Sequence, residues 1–164
     1  MDPISVFLVD DDDLFLKSLE HYLLHTLKLH IQIRSFKTAE ECISQLDEET
    51  SIIVLDYLLN TTNPKAMNGL MALREIKSLF PMTKVIILSG HEDMTLAIET
   101  IKYGAYDYVV KNENTFIKIR QLLKNTLQVK NNKMKLTPNI TVAVSVFGLI
   151  IIALFILVEY LKKT

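Results

Sequence analysis

Short apolar runs alternate with amphipathic stretches along the first 128 residues of the chain. Four of these runs are rich in β-branched residues and lead into a polar residue: residues 6–9, 52–55, 85–88 and 108–110. Runs of this length and composition are typical of strands that are buried on both faces of a parallel sheet. Apolar residues recur at helical spacing between them, so the pattern predicts a doubly wound α/β domain.

The pattern predicts five strand–helix units with short connections. The predicted strands span residues 5–9, 31–36, 52–56, 84–89 and 106–110. The predicted helices span about 14–27, a segment that opens at residue 38, and then 68–80, 94–103 and 115–129. Thr38 and Glu41 form a capping-box pattern at the start of the second helix, and Gly104 is placed to end the fourth. These units predict a five-stranded doubly wound parallel sheet in a domain over residues 1–128.

A second apolar pattern lies near the end of the sequence. Residues 140–158 carry no charge, and these nineteen residues, as a helix, come close to the roughly 30 Å hydrocarbon core of a bilayer. A buried core helix is the alternative, which the absence of a polar stripe disfavours. We therefore predict a linker over 129–139, one transmembrane helix over 140–161 and a short basic tail over 162–164. Lysines before residue 140 favour an inner-membrane protein with its N-terminal domain in the cytoplasm.

The composition argues against two broad classes of protein. The formal net charge of −1 provides no basic surface for nucleic acid, so no direct nucleic-acid partner is expected. A single cysteine, Cys42, excludes an internal disulfide framework and is typical of a reducing compartment.

Polar residues that can bind a cation or a phosphoryl group stand at the ends of the predicted strands. Asp10 and Asp11 follow the first strand, Asp56 ends the third, Ser89 ends the fourth and Lys111 follows the fifth. The carboxyl ends of parallel strands meet at one edge of a sheet, where such folds bind their ligands. Carboxylates, a hydroxyl and an ammonium at that edge predict a site for a metal ion and a phosphoryl group.

Four motifs in a fixed order carry a family resemblance. They are VDDDD at residues 9–13, VLDYLL at 54–59, ILSG at 87–90 and GAYDYVVKN at 104–112. In this order and spacing, residues 4 to about 128 resemble the receiver domain of response regulators in two-component signalling. The resemblance implies a flavodoxin-like receiver fold that is phosphorylated on an aspartate.

The resemblance also implies a role for each matching residue. Asp56 would be the phosphoacceptor. Asp11, Asp56 and the backbone carbonyl of Leu58 would bind Mg²⁺ directly, and Asp10 would bind it through water, since Mg²⁺ prefers hard oxygen ligands and retained waters. Lys111 would pair with the phosphoryl oxygens.

Further roles concern the response to phosphorylation and its reversal. Ser89 would turn its hydroxyl toward the phosphoryl group, and Tyr108 matches the aromatic residue that moves inward as a switch. In receivers, the residue two positions after the phosphorylated aspartate lies over the path of the hydrolytic water. That residue is Leu58 here, and its apolar side chain is expected to slow hydrolysis. His91 could orient that water from the opposite side, so both residues are candidate modulators of dephosphorylation.

The chain departs from the family pattern in two local features. The loop between Asp56 and Gly69 is several residues longer than usual, with an insertion at residues 60–66. Asn112 stands after Lys111, where the family usually has a proline that forms a cis peptide bond.

These features predict a membrane-anchored phosphoacceptor receiver that signals through protein–protein contacts. Its expected partner upstream is a histidine kinase or a phosphotransfer protein. The alternative is a phosphorylation-independent membrane adaptor with a receiver fold. An aspartate-nucleophile phosphatase is rejected, because that class needs a second acid two residues after the nucleophile and position 58 is leucine. The chain is therefore not expected to be an enzyme beyond the transfer and slow loss of its own phosphoryl group.

Overall fold

The apolar runs of the sequence form one parallel sheet. The computed structural model describes residues 4–28, 30–59, 66–126, 151 and 162. The sheet has the order β2-β1-β3-β4-β5, with every neighbouring pair parallel. Its strands are β1 (Ile4–Val9), β2 (Ile31–Phe36), β3 (Thr50–Asp56), β4 (Lys84–Ser89) and β5 (Asp107–Val110). This is the flavodoxin-like order, so the predicted fold of the domain is confirmed.

Four helices with defined bounds connect the strands, and a fifth follows β5. They are α1 (Asp13–Thr26), α2 (Ala39–Ser44), α3 (Gly69–Leu79) and α4 (Met94–Lys102). Residues 115–126 are also helical and form α5, whose predicted extension to residue 129 lies outside the described residues. Each observed boundary lies within a few residues of its prediction.

Side-chain caps and one glycine set the helix boundaries. The Thr38 hydroxyl accepts the Glu41 N–H at the start of α2, and Asp12 accepts two backbone N–H groups at the start of α1. Gly104 has φ +94 just beyond α4, a left-handed conformation that glycine adopts at little cost. The predicted roles of Thr38 in starting α2 and of Gly104 in ending α4 are confirmed.

The central strands are buried on both faces. Val6 to Val9 of β1 and Ile52 to Leu55 of β3 are each at most 1% exposed. β2 is an edge strand whose residues are all half-buried or exposed. Three of the four apolar runs therefore lie in the central strands β1, β3 and β4, where helices cover both faces, and the fourth lies in the edge strand β5.

The chain divides into two compact units, Met1–Lys124 and Asn125–Thr164. The first contains the whole sheet. In the second, the predicted linker at 129–139 lies outside the described residues, and so does the predicted transmembrane helix at 140–161 apart from Ile151, which is helical. Among the residues that the structure describes, no helix combines the length and the apolar character needed to cross a membrane.

Candidate functional site

Backbone pairing brings the predicted site residues to one edge of the sheet. Asp56 pairs with Leu88, and Ser89 pairs with Val110, at the carboxyl ends of their strands. The Lys111 N–H donates to the Ser89 carbonyl at 2.7 Å, which extends the pairing by one residue beyond β5. Parallel strands in register thus carry their last side chains to the same place, as the sequence predicted.

Lys111 joins two of the predicted carboxylates. Its Nζ atom lies 2.6 Å from Asp10 Oδ2 and 3.0 Å from Asp56 Oδ1. Asp10 is 1% exposed and Asp56 4% exposed, whereas the lysine side chain is half-buried. Charge-assisted contacts of this length to two buried carboxylates hold the ammonium at the acidic cluster.

Burial and neighbouring charges shift the pKa values of this pair. Burial is the main cause that raises the pKa of Asp56 above its ordinary value, and the negative charge of Asp10 adds to the effect. For Lys111, burial acts to lower the pKa, but hydrogen bonds and attraction from Asp10 and Asp56 outweigh it, so the pKa is raised. The lysine therefore stays an ammonium. The negative charge of Asp10 beside ionised Asp56 favours the binding of a second cation.

Three carboxylates at this edge can hold a metal ion. Oxygen atoms of Asp10, Asp11 and Asp56 all lie within 4.8 Å of one another. Mg²⁺ prefers hard oxygen ligands and keeps several of its waters. The carboxylates supply such oxygens, and the exposed position of Asp11 leaves room for water. These side chains are the predicted ligands, and the backbone carbonyl of Leu58 as a further ligand stays a prediction.

The predicted switch residues meet at the backbone of His91. The Ser89 hydroxyl donates to the His91 carbonyl at 3.2 Å and accepts the His91 N–H at the same distance. The Tyr108 hydroxyl donates to that same carbonyl at 2.8 Å. Ser89 is buried, and the Tyr108 side chain is half-buried. Ser89 and Tyr108 are thus linked through one shared acceptor, a contact that the sequence did not predict.

The two predicted modulators of dephosphorylation line one cleft beside Ser89. Leu58 and His91 both lie in its wall, and Leu58 is 43% exposed. Their effect on hydrolysis stays a prediction.

Two residues shape the site without having been predicted to do so. A Cβ atom on Gly69 would lie 2.5 Å from the Asp56 carbonyl oxygen and 2.6 Å from the Tyr57 Cα atom, so only glycine lets α3 begin this close to the end of β3. The ring of Phe15 lies against Lys111, with 4.8 Å between Nζ and the ring centroid. The Asn68-Gly69 pair at the end of the loop was a possible signal for the glycine, whereas nothing local marked the phenylalanine.

The structure describes in full only one of the two places where the chain departs from the family pattern, the peptide bond after Lys111. No peptide bond between described residues is cis, so the Lys111–Asn112 bond is trans. The segment after it is held by Thr115, whose hydroxyl accepts the Asn112 N–H at 2.6 Å and donates to the Val110 carbonyl at 3.2 Å. The insertion at residues 60–66 lies outside the described residues except for Ala66.

Comparisons with known proteins agree with this geometry. Residues 6–124 match the family model described as the response regulator receiver domain. The chain is 33% identical over 108 residues to the C4-dicarboxylate transport transcriptional regulatory protein DctD of Rhizobium meliloti, an alignment that covers 65% of this chain and 22% of the relative. It is 32% identical over 106 residues to the DNA-binding transcriptional regulator NtrC of Salmonella typhimurium, covering 65% of this chain and 21% of the relative. The chain thus spans about a fifth of the length of these curated relatives.

Solved receiver structures share the fold. The BeF3-activated DrrB receiver domain superposes with a TM-score of 0.65 at 28% identity, covering 77% of this chain and 98% of that one. The receiver domain of NtrX from Brucella abortus superposes with a TM-score of 0.64 at 23% identity, covering 75% and 98%. With the acidic cluster and lysine in place at the strand ends, the family match over residues 6–124 shows that this chain belongs to the response regulator receiver domain family.

Proposed function

We propose that Asp56 is the phosphoacceptor of this receiver and that the chain acts as a membrane-anchored member of a two-component phosphorelay. The observation that supports Asp56 most directly is its buried carboxylate at the end of β3, 3.0 Å from the Lys111 ammonium and within 4.8 Å of the Asp10 and Asp11 oxygens. A nucleophilic oxygen beside positive charge and metal-binding acids is the arrangement that phosphoryl transfer requires.

The chemistry follows from the charges in the cluster. An Asp56 oxygen forms the new bond to phosphorus, the bond from phosphorus to the donor breaks, and its electron pair leaves with the donor group. Lys111 offsets the negative charge of the phosphoryl oxygens as it approaches Asp56. When bound by Asp10, Asp11 and Asp56, Mg²⁺ would supply further positive charge next to these oxygens. The only reaction proposed is the transfer and loss of the chain's own phosphoryl group.

Phosphate-affinity electrophoresis tests the acceptor. The wild type, Asp56→Asn and Asp13→Asn would each be incubated with phosphoramidate and Mg²⁺, with a parallel sample in EDTA. Asp13 is a matched control, because it is an exposed aspartate that pairs with Lys37 outside the acidic cluster. We expect a shifted band for the wild type and Asp13→Asn only, and none in EDTA. A shifted band of equal intensity for Asp56→Asn would refute the assignment. Wild type that stays unmodified with phosphoramidate and with kinases would favour the phosphorylation-independent adaptor.

The membrane anchor is supported by the nineteen uncharged residues at 140–158. Since residues 1–124 form a compact unit of their own, a chain that ends at Asn139 is expected to be soluble and to remain phosphorylatable. Fractionation with an alkaline carbonate wash would compare it with the full chain. Release of the full chain by carbonate would refute the anchor. Protease added to spheroplasts is expected to leave the receiver intact if it faces the cytoplasm of the inner membrane.

The proposed partners are a histidine kinase or phosphotransfer protein upstream and a protein target downstream. The names of several relatives include DNA binding, but the chain aligns with only about a fifth of their length. DNA binding is therefore not transferred to this chain, and its output is proposed to be contact with another protein.

A further inference from the structure

We propose that Phe15 is a positioning residue for phosphoryl transfer, whose ring holds the Lys111 ammonium at the acidic cluster. The proposal rests on the proposed function of Asp56 and adds a residue that the motifs do not contain. Phe15 lies on the first turn of α1, and Lys111 follows β5, so the contact joins distant parts of the chain.

The ammonium is held from three sides. Its Nζ atom lies 2.6 Å from Asp10 Oδ2, 3.0 Å from Asp56 Oδ1 and 4.8 Å from the centroid of the Phe15 ring, over the ring face. An ammonium has three N–H donors, and two of its partners here are carboxylates. A ring face within about 6 Å attracts a cation through its quadrupole. The third side of the ammonium is therefore covered by an aromatic surface.

The ring is itself fixed by an aromatic cluster between α1 and α5. Phe15 packs edge-on against Phe116, with 5.5 Å between centroids and an interplanar angle of 75°. Phe116 in turn packs against Tyr22 at 5.6 Å. The Phe15–Phe116 pair is edge-to-face, an arrangement that is favourable beyond the area that it buries, whereas the Tyr22–Phe116 pair is tilted at 46°. The cluster therefore holds the ring in place under the lysine.

The backbone of Phe15 is tied to the same acids. Its N–H donates to Asp12 Oδ1 at 3.1 Å, in the N-terminal cap of α1, and the Asp12 N–H donates to Asp10 Oδ1 at 3.0 Å. A closed series of contacts thus runs from Asp10 to Asp12, to Phe15, to Lys111 and back to Asp10. The ring and the carboxylate that share the ammonium are therefore placed by one short segment.

A phenyl ring suits this position because it attracts a cation without offering a lone pair. A carboxylate there would accept a hydrogen bond from Lys111 and compete with the phosphoryl oxygens, whereas a second cation would repel the ammonium. Over Phe15, the lysine keeps its N–H donors for the oxygens of Asp56 and of the arriving phosphoryl group. Holding a catalytic group in its reactive geometry raises the rate of the transfer step.

Replacing the ring by a non-aromatic side chain tests the proposal. Phe15→Leu keeps an apolar side chain but removes the ring face, and Phe15→Tyr restores the ring. We expect Phe15→Leu to take up phosphate from phosphoramidate about two- to fivefold more slowly than the wild type, the ratio that corresponds to about 0.5–1 kcal/mol for a cation–π contact at a partly exposed site. Phe15→Tyr should stay within twofold of the wild type. Tyr106→Leu is the matched control, because it removes a ring from beside another lysine, Lys84, whose Nζ atom lies 4.1 Å from the ring centroid outside the acidic cluster. This variant should take up phosphate as fast as the wild type.

A spectroscopic measurement separates positioning from general structural damage. Protons of the Lys111 ε-methylene, next to a ring face, should show an upfield ring-current shift in the unphosphorylated protein that Phe15→Leu loses and Phe15→Tyr keeps. Unfolding midpoints in urea identify any variant whose slow reaction reflects lost folding. Equal Lys111 shifts in the wild type and Phe15→Leu would overturn the proposal, as would a Tyr variant as slow as the Leu variant. A failure of Asp56 as acceptor would appear separately, as undiminished labelling of Asp56→Asn.

Discussion

Replacing Asp56 with asparagine is expected to stabilise the folded domain at neutral pH when no divalent cation is present. The carboxylate is 4% exposed, and burial followed by repulsion from Asp10 raises its pKa. A carboxyl with a raised pKa in the folded state makes its ionised form unfavourable there. An amide of the same shape carries no charge, so the variant avoids this cost.

The magnitude follows from the distances in the cluster. With an effective dielectric constant of about 20, two unit charges 4.8 Å apart, the outer limit of the acidic cluster, interact by about 3.5 kcal/mol. The same calculation assigns about 5.5 kcal/mol to the attraction between Asp56 and Lys111 at 3.0 Å. Repulsion from two carboxylates therefore exceeds the attraction by on the order of 1 kcal/mol, and burial of the charge adds to the difference. We expect Asp56→Asn to be more stable by about 1–2 kcal/mol.

Urea unfolding in EDTA provides the assay, with Asp13→Asn as the exposed control. The folded-state pKa of Asp56 lies above the unfolded value, so the wild type loses stability as the pH rises from the ordinary aspartate pKa through the raised one. The advantage of the variant should be absent below about pH 4 and fully present above the raised pKa. Added Mg²⁺ should stabilise the wild type selectively, because a ligand of the folded acidic cluster favours the folded state. The difference in free energy of unfolding between the variant and the wild type should therefore become smaller.

The outcome that would refute this reasoning is an Asp56→Asn variant less stable than the wild type at pH 7 in EDTA. That result would mean that attraction from Lys111 outweighs both the repulsion and the burial of the Asp56 charge. A gap that does not change between pH 4 and pH 7 would also contradict it, since the effect must follow the ionisation of one carboxyl.

Three further predictions concern the surroundings of the site. Gly69→Ala should lower the free energy of unfolding by about 1–3 kcal/mol in the same urea assay, because its Cβ would press on backbone atoms at the end of β3. Gly90→Ala is the control: a Cβ there would have nothing within 4 Å, so its free energy of unfolding should stay within about 0.5 kcal/mol of the wild type. Leu58→Asn should speed the decay of the phosphorylated protein in excess Mg²⁺, since an amide can orient water that leucine cannot, and His91→Ala measured beside it reports the contribution of the other candidate modulator in the same cleft. Decay of Leu58→Asn no faster than that of the wild type would contradict the steric argument. Asp12→Ala should cost about 1 kcal/mol of stability through loss of the α1 cap, and an unchanged midpoint would contradict that role.

The sequence by itself determined the elements and the composition of the site. Continuous β-branched runs marked the strands, and local hydrogen-bonding chemistry marked caps such as Thr38 and the glycine after α4. Because parallel strands end at one edge, the position of Asp56 and Lys111 in sequence was enough to predict that they meet. These features depend on a few neighbouring residues or on a general rule of the fold, so they could be predicted from the sequence alone.

Only the tertiary structure decided how the site residues are held. The sequence predicted that Lys111 and Asp10 lie at one edge of the sheet, but their direct contact and the Phe15 ring over the same ammonium depend on how the elements pack, α1 beside α5 in particular. Likewise, the approach of Gly69 to the end of β3 and the shared acceptor at His91 depend on distances between atoms of different elements. Periodicity specifies which face of an element is buried but not which atom of another element lies there. The raised pKa of Asp56 has the same origin, because burial and neighbouring charge exist only once the chain has folded.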